Sequence, residues 1–292
     1  MPPNAANFAG SSSLVSDVPQ LLQNLPALPT ISTRLLAMMG RPDADLKGVG
    51  TLIASDGVLT AEVLRIANSS MFGLRSEVRS VLQAIAFLGL ERTKALACTV
   101  AIKNYLGNAL QIPALQRTWR HSLAVAVLAD ELATWTQADG AEAYTAGILH
   151  DLGALGLIAM LPTRYLKLLD EAVASETTLL ELERIHYGLD HCEAGGFLAG
   201  VWNLPPFMGE VMRLHHAPLK QAPFTLLGLT HYASRGADLL GFSVVNRPPD
   251  TTSPNAIEEF YEQLTPRQKE RVALSLADLQ MLIATRVNAM ES

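Results

Sequence analysis

Apolar residues recur at intervals of three, four and seven along most of the chain, and this spacing predicts helices. The longest stripe begins at His121 and continues with Val125, Leu128, Leu132 and Trp135, at offsets of 4, 7, 11 and 14 residues. No segment shows the sustained alternation of apolar and polar residues that marks a half-buried strand. We therefore predict an all-α protein, built as a helical bundle preceded by an N-terminal helical subdomain.

Polar residues mark where several of these helices begin. Asp56, Ser80 and Asp190 each precede an apolar stripe. Side chains of these types accept hydrogen bonds from the free backbone N–H groups at the start of a helix, so Asp56 and Asp190 are predicted N-caps, and Ser80 is predicted to begin its helix. A further helix is predicted over about residues 142–150.

The pattern divides the chain into four parts, which are a flexible tail (1–16), an N-terminal helical part (17–110), a second helical part (111–245) and a C-terminal loop with helices (246–292). The last part is predicted to hold helices near 256–264 and 266–289. Within the second of these, Leu276, Leu279 and Ile283 form an apolar stripe. We expect this stripe to cover the protein's own core, and a homodimer built on it is the alternative.

Composition narrows the class of protein. Of the 292 residues, 49% are hydrophobic and only 17% are charged, which excludes an intrinsically disordered chain. The net charge is −6 and lysine and arginine do not cluster, so nucleic acid is not an expected partner.

No membrane or secretory signal is evident. The longest apolar run, Leu152 to Pro162, is too short to span a bilayer, and no basic residue precedes Arg34. The two cysteines, Cys98 and Cys192, suggest no disulfide framework and are expected to be buried hydrophobic residues. We expect a soluble, cytoplasmic protein without a membrane partner.

Histidine is the residue type that suggests chemistry. All seven histidines lie in the second helical part, at positions 121, 150, 186, 191, 215, 216 and 231, and Asp151 directly follows one of them. Imidazole and carboxylate together suit iron, zinc, manganese or nickel, and helices can direct them at one point. A polar seam satisfied by internal hydrogen bonds is the alternative, and spacing alone does not separate the two.

Several segments together resemble one family. They are Leu25–Pro29, Asp56–Leu59, Leu64–Ser69, Ala84–Gly89, Trp119–Ser122, Ala146–Gly153, Glu183–His191, Trp202–Pro205 and His215–Pro218. In this order they resemble an HDOD domain over about residues 20–245. The resemblance implies a bacterial, all-helical relative of the HD and HD-GYP metal-dependent phosphohydrolases that serves signalling or regulatory scaffolding.

The resemblance also implies a ligand set. The positions that match the metal ligands of the catalytic relatives are His121, His150, Asp151, His191, His215 and His216. One or two divalent ions of iron, manganese, zinc or nickel are expected there, with Asp151 as the bridge between two ions. His186 lies outside the matched motif and is expected to pack or cap locally. His231 is expected to hydrogen-bond a ligand or a carbonyl group.

The chain departs from the catalytic relatives at several positions. The lysine suited to holding a phosphate is Ala154 here, and the late aspartate of the metal site aligns with Ser234. Arg117 stands where some relatives have a glutamate. Asp238 lies one helical turn beyond Ser234 and would need the helix to shift or rotate before it could replace the missing carboxylate. The Gly-Tyr-Pro signature after the paired histidines is also absent.

These losses affect catalysis more than metal binding. Phosphoester hydrolysis needs a metal-generated hydroxide and cationic groups that hold the phosphate. We therefore expect a regulatory module, with a protein partner or a nucleotide signal and without hydrolase activity. The alternative is a phosphohydrolase acting on a nucleotide or cyclic dinucleotide, in which Asp151 is the catalytic residue.

Overall fold

The computed structural model describes residues 18–39, 45–69, 72, 76–219, 224–246, 255–272 and 274–291. Within these ranges the regular structure is entirely helical, and the predicted all-α class is confirmed. The N-terminal helices are α1 (Val18–Gln23), α2 (Thr30–Ala37), α3 (Leu46–Ala54), α4 (Gly57–Ala67), α5 (Val81–Leu88) and α6 (Leu90–Leu106). The helices that follow are α7 (Pro113–Trp135), α8 (Gly140–Leu149), α9 (Leu152–Met160), α10 (Pro162–Ala174), α11 (Leu179–Tyr187), α12 (His191–Val201), α13 (Pro206–Leu214) and α14 (Leu226–Ala237). The last are α15 (Ala256–Glu262), α16 (Pro266–Lys269) and α17 (Leu276–Glu291).

The predicted N-caps are confirmed. Asp56 accepts a hydrogen bond from the Leu59 backbone N–H at 2.9 Å, and Ser80 caps α5 in the same way. Asp190 begins α12 with a capping box, because its carboxylate accepts from the Glu193 N–H while the Glu193 side chain accepts from the Asp190 N–H. These caps satisfy backbone donors that the helix itself leaves free.

Helix α7 lies at the centre of the protein. Nearly every residue from Thr118 to Ala133 is buried, on all sides of the helix, and α8, α14 and α17 pack against it. A helix that is buried on all sides is one that other helices surround. The buried apolar side chains form one continuous core from Val18 in α1 to Met290 in α17.

The C-terminal segment differs from the prediction. The prediction of a single helix over 266–289 is wrong, since α16 ends at Lys269 and α17 begins at Leu276. Ser275 and Asp278 start the new helix by exchanging side chain–backbone hydrogen bonds of 3.0 and 3.2 Å. Within the expected stripe Leu279 and Ile283 are buried in the protein's own core, whereas Leu276 is 42% exposed.

One helical stretch, Gly140–Met160, has the length and apolar composition of a membrane span. Its most apolar window is 89% buried within the protein, as in the core helices of soluble proteins. The stretch is also interrupted at His150 and Asp151, between α8 and α9.

The division into four parts stays a prediction. The tail at residues 1–16 lies outside the described residues, as does most of the expected loop between residues 246 and 255.

Candidate metal centre

The six residues predicted as metal ligands come together from four places in the fold. His121 lies in α7, His150 and Asp151 connect α8 to α9, and His191 is the first residue of α12. His215 and His216 follow the last residue of α13. Ligands at the ends of short helices are fixed by the backbone on both sides, which suits a site that must keep one geometry.

Asp151 lies at the centre of this cluster. Its Oδ1 is 3.3 Å from His215 Nε2 and 3.6 Å from His191 Nε2. Its Oδ2 is 3.5 Å from His150 Nε2 and 3.9 Å from His121 Nε2. Two ligand atoms that are each about 2.1 Å from one ion lie roughly 3.0 to 3.4 Å apart at octahedral or tetrahedral angles. The observed separations are close to those values.

The cluster consists of two groups of potential ligands that share Asp151. One group contains His121 and His150, and the other contains His191, His215 and His216. The ligand atoms within each group lie within 4.8 Å of one another. A carboxylate shared in this way can bridge two ions, as the resemblance implied.

The donor atoms of the cluster fit a cation. Within the part of the chain that the structure describes, His150 Nε2, Asp151 Oδ1 and His191 Nε2 are buried without a partner in hydrogen-bond geometry. Buried polar atoms are normally hydrogen-bonded, and leaving one unsatisfied costs about 1–3 kcal/mol. Three such atoms facing one another favour a metal site over a self-satisfied polar seam.

The other ring nitrogen of each buried histidine has a protein partner. The Nδ1 contacts are His121 to Phe242 O at 2.9 Å, His150 to Gly147 O at 2.7 Å, His191 to Glu183 Oε2 at 2.7 Å and His215 to Met212 O at 3.0 Å. A carbonyl or carboxylate oxygen accepts a hydrogen bond, so each Nδ1 carries the proton. When these rings are neutral, each Nε2 therefore keeps a lone pair directed at the cluster, which is the tautomer that a metal ligand needs.

Glu183 supports the cluster although sequence reasoning gave it no role. Its side chain is fully buried and accepts hydrogen bonds from the backbone N–H and the Nδ1–H of His191, at 2.9 and 2.7 Å. The Tyr165 hydroxyl donates to its other oxygen. Glu183 lies within the segment that carries the family resemblance, and this position was the only signal available in the sequence.

The histidines of the cluster differ in the direction in which their surroundings shift the pKa. Burial lowers the pKa of His150 to about 3. His216 lies at the exposed edge of the cluster, where partial desolvation and the charges of His215 and His191 lower its pKa as well, so both imidazoles are neutral at pH 7. Burial alone would lower the pKa values of His191 and His215 as well. Glu183 instead raises the pKa of His191 well above its ordinary range, and Asp151 with Cys192 raises that of His215 to about 9.

Asp151 remains ionised. Burial would raise the pKa of its carboxyl group, but the surrounding imidazoles of His150, His215 and His191 hold it well below the usual value. Without a metal ion, protons on His191 and His215 balance this charge. A divalent cation would replace those protons.

A close contact between helices fixes the position of His191. Gly153 in α9 lies so near to α12 that a Cβ atom there would be 2.0 Å from the His191 carbonyl oxygen and 2.4 Å from the Gly195 nitrogen. Only glycine permits this approach. The contact places the Asp151 end of α9 directly beside the first turn of α12.

The HDOD domain family matches residues 25–218, about two thirds of the chain. The chain belongs to the HDOD domain family. A curated relative, an uncharacterised protein of Treponema pallidum (strain Nichols), is 26% identical over 220 residues, which is 74% of this chain and 42% of the relative. The chain thus spans about two fifths of that relative's length.

Solved structures share the fold of this HDOD chain. An HDOD domain protein of unknown function from Geobacter sulfurreducens matches with a TM-score of 0.70 and 23% identity, over 94% of this chain and 92% of that one. A candidate phosphohydrolase from Shewanella amazonensis has a TM-score of 0.65 and 24% identity, over 96% and 97% of the two chains. A candidate signal transduction protein from Marinobacter aquaeolei has a TM-score of 0.71 and 19% identity, over 98% and 67%.

Asp238 lies behind His121 in this HDOD chain. Helix α14 continues into a π-helical turn, Asp238–Phe242, that brings Asp238 Oδ1 to 3.5 Å from His121 Nδ1. This is the ring nitrogen that faces away from Asp151. Asp238 therefore supports His121 from behind and does not take the place of the missing ligand. Ser234 Oγ lies 3.4 Å from His121 Nε2, on the cluster side.

The two remaining histidines lie where they were expected. His231 donates from Nδ1 to the backbone carbonyl of His215 at 2.8 Å, and thus holds the segment that carries two of the potential ligands. His186 is on the surface, where its Nε2 is 2.9 Å from Glu171 Oε2 and links α11 to α10.

The two cysteines have different surroundings. Cys98 is buried among apolar residues, as predicted, and burial raises its pKa to about 12. Cys192 is also buried, but its Sγ lies 4.0 Å from both ring nitrogens of His215. The expectation that it is only a small hydrophobic residue is therefore incomplete, since it is part of the wall of the cluster.

Proposed function

We propose that this HDOD chain is a signalling or regulatory module that holds one or two divalent transition-metal ions in the His/Asp cluster. The supporting observation is the set of three buried atoms without hydrogen-bond partners, His150 Nε2, Asp151 Oδ1 and His191 Nε2, at separations suited to coordination. Among these ligands, neutral imidazole and carboxylate suit iron, manganese, zinc or nickel.

The metal centre is proposed to stabilise and shape the module rather than to hydrolyse phosphoesters. A bound metal would supply a water-derived hydroxide and neutralise charge on a phosphate. Cationic side chains must also hold that phosphate, and Ala154, at the position of the lysine, is a buried residue of α9. Among the described residues, every ion pair of Asp151 is with an imidazole, so no lysine or arginine reaches the centre of the cluster.

A regulatory protein or a nucleotide signal is the proposed partner. The candidate signal transduction protein from Marinobacter aquaeolei, which shares the fold, is consistent with such a role. The cytoplasm is the proposed location, in line with the burial of the apolar stretch that comprises α8 and α9.

A metal-dependent phosphohydrolase is the alternative, and one observation favours it. The two groups of ligands share Asp151, and such an arrangement allows two ions to act on the attacking and leaving oxygens of one phosphate. Catalysis would then require a phosphate-holding group supplied by the substrate's surroundings or by a partner.

Assays of the metal-loaded full chain separate the two functions. The protein is incubated with Mn²⁺ and with bis(p-nitrophenyl) phosphate, nucleotides and cyclic dinucleotides, beside the Asp151→Asn variant. We expect no turnover above that of the variant. Metal-dependent turnover that Asp151→Asn abolishes would contradict the regulatory proposal and support the alternative.

A further inference from the structure

Helix α17 reaches the surroundings of His121 at two separate places. Near its start, Gln280 Nε2 donates to the backbone carbonyl of Leu240 at 3.3 Å. At its end, Glu291 Oε2 lies 3.3 Å from Arg120 Nη1, and Arg120 is the residue directly before His121. About 11 residues of helix, or roughly 16 Å, separate the two contacts.

The first contact involves the backbone turn that holds the His121 ring. Leu240 and Phe242 both belong to the π-helical turn Asp238–Phe242, and the Phe242 carbonyl accepts the Nδ1–H of His121 at 2.9 Å. Between them Gly241 has a φ of 92°, a conformation that glycine adopts readily and that turns the chain sharply. Gln280 and His121 thus bind carbonyl groups two residues apart in one irregular turn. Turns of this kind are frequent at functional sites.

The second contact is part of a group of cations around the end of α17. Lys103 Nζ donates to the carbonyl oxygens of Met290 and Glu291 at 3.0 and 3.1 Å. Arg65 Nη1 donates to the carbonyl of Ala289 at 3.1 Å. The C-terminal carbonyl groups of a helix carry partial negative charge and lack partners within the helix, so these cations stabilise it.

Apolar packing joins the two ends. Leu279, Ile283, Val287 and Met290 are buried against the core, in which α7 is the neighbour that carries His121. The polar contacts lie at the edges of this stripe, where water can compete for them. Two of the polar contacts that hold α17, those of Gln280 and Glu291, therefore depend on the position of Arg120 and of the turn at Asp238–Phe242, which contacts His121.

We propose that the docking of α17 and the occupation of the metal centre are coupled through His121. The proposal rests on the metal site proposed above. An ion on His121 Nε2 fixes the imidazole, and the imidazole in turn fixes the Phe242 carbonyl through its Nδ1–H. The same turn then presents the Leu240 carbonyl to Gln280. Coupling between two binding events is reciprocal, so a loosened α17 must weaken metal binding by the factor by which the metal strengthens docking.

The test uses the full chain with Mn²⁺ alone as the probe. Electron paramagnetic resonance of free Mn²⁺ measures binding, and hydrogen–deuterium exchange measures the opening of α17 with and without the ion. Gln280→Ala removes the contact to the Leu240 carbonyl. Asn288→Ala is the matched control, because it also truncates an exposed amide side chain of α17, whereas the hydrogen bond to the Leu240 carbonyl comes from Gln280.

We expect Mn²⁺ to slow hydrogen–deuterium exchange in α17 by about fivefold or more. Helix α3, in the N-terminal part of the chain, is the reference, and its exchange should slow by less. Gln280→Ala should weaken Mn²⁺ binding about threefold or more, and Asn288→Ala should leave it unchanged. Two outcomes would overturn the coupling but leave the metal site standing. In the first, bound Mn²⁺ slows exchange in α17 no more than in α3. In the second, Gln280→Ala and Asn288→Ala bind Mn²⁺ with equal affinity. Absence of Mn²⁺ binding to the unaltered chain would overturn the proposed metal site, and the coupling with it.

Discussion

The Glu183 carboxylate accepts the Nδ1–H of His191 at 2.7 Å, and both side chains are almost completely buried. A carboxylate behind a histidine fixes the tautomer and the orientation of the ring, and it increases the basicity of the nitrogen that faces the metal. The same carboxylate accepts the His191 backbone N–H, so it anchors the residue as well as the ring.

Replacing Glu183 by glutamine should therefore reduce metal affinity without unfolding the protein. Glu183→Gln keeps the shape but removes the negative charge, and comparable replacements cost about 10- to 100-fold in metal affinity. Isothermal titration with Mn²⁺ measures the loss, and circular dichroism verifies the fold. Tyr165→Phe, which removes a donor to the same carboxylate, is the control and should have a smaller effect. Equal affinity in Glu183→Gln and the unaltered chain would show that Glu183 has no role in the metal site.

Stability of chelator-treated protein should fall as the pH rises through the neutral range. The pKa of His215 is raised from 6.5 to about 9 when folded, so its proton stabilises the fold fully below pH 6.5 and is lost by about pH 9. The loss in unfolding free energy can reach roughly 3 kcal/mol. Urea denaturation at several pH values measures the slope of the unfolding free energy against pH.

Two comparisons test the origin of that slope. His215→Asn should reduce the fall of the unfolding free energy with pH, because one of the two histidines with a raised pKa is gone and only His191 keeps its contribution. Mn²⁺ affinity should rise over the same pH range, since the ion must displace the proton. An unchanged fall of the unfolding free energy with pH in His215→Asn would assign the effect to another group.

The two cysteines should differ in reactivity. Burial alone would raise the pKa of Cys192, but the neighbouring His191 and His215 lower it below its usual value, whereas that of Cys98 is about 12. The thiolate is the reactive form, so iodoacetamide should label Cys192 first and Cys98 only on unfolding. Mass spectrometry of tryptic peptides measures both rates. Labelling of Cys98 at the same rate in folded protein would refute the difference.

The contact between α9 and α12 should not tolerate a methyl group. Gly153→Ala places Cβ against the His191 backbone and should destabilise the protein by about 1–3 kcal/mol or more while disturbing the metal site. Gly200→Ala is the control in α12, because nothing lies within 4 Å of its Cβ position, and it should stabilise the helix by up to about 1 kcal/mol. Thermal unfolding of the two variants gives both numbers. Similar melting temperatures would mean that the helices can separate at little cost.

The fold class and the residues of the cluster could be predicted from the sequence, because helical periodicity is strong and the potential ligands follow a family pattern. Glu183 was not recognised as a supporting group, since a single glutamate in an amphipathic helix is usually exposed. The π-helical turn at Asp238–Phe242 continues a helical pattern in sequence, and only Gly241 marks its irregular backbone. The start of α17 did have a signal, the Ser275–Asp278 pair, which the apolar periodicity across 266–289 obscured.

The metal content of the protein shows directly whether the His/Asp cluster is a metal site. The full chain is purified without added metal, exposed to Mn²⁺, desalted and measured by inductively coupled plasma mass spectrometry, beside the His150→Ala variant. We expect one or two bound transition-metal ions per chain, a marked loss in His150→Ala and a higher melting temperature for the loaded protein. No bound metal, together with unchanged stability of His150→Ala, would contradict this expectation and leave the histidines as a hydrogen-bonded seam in the core.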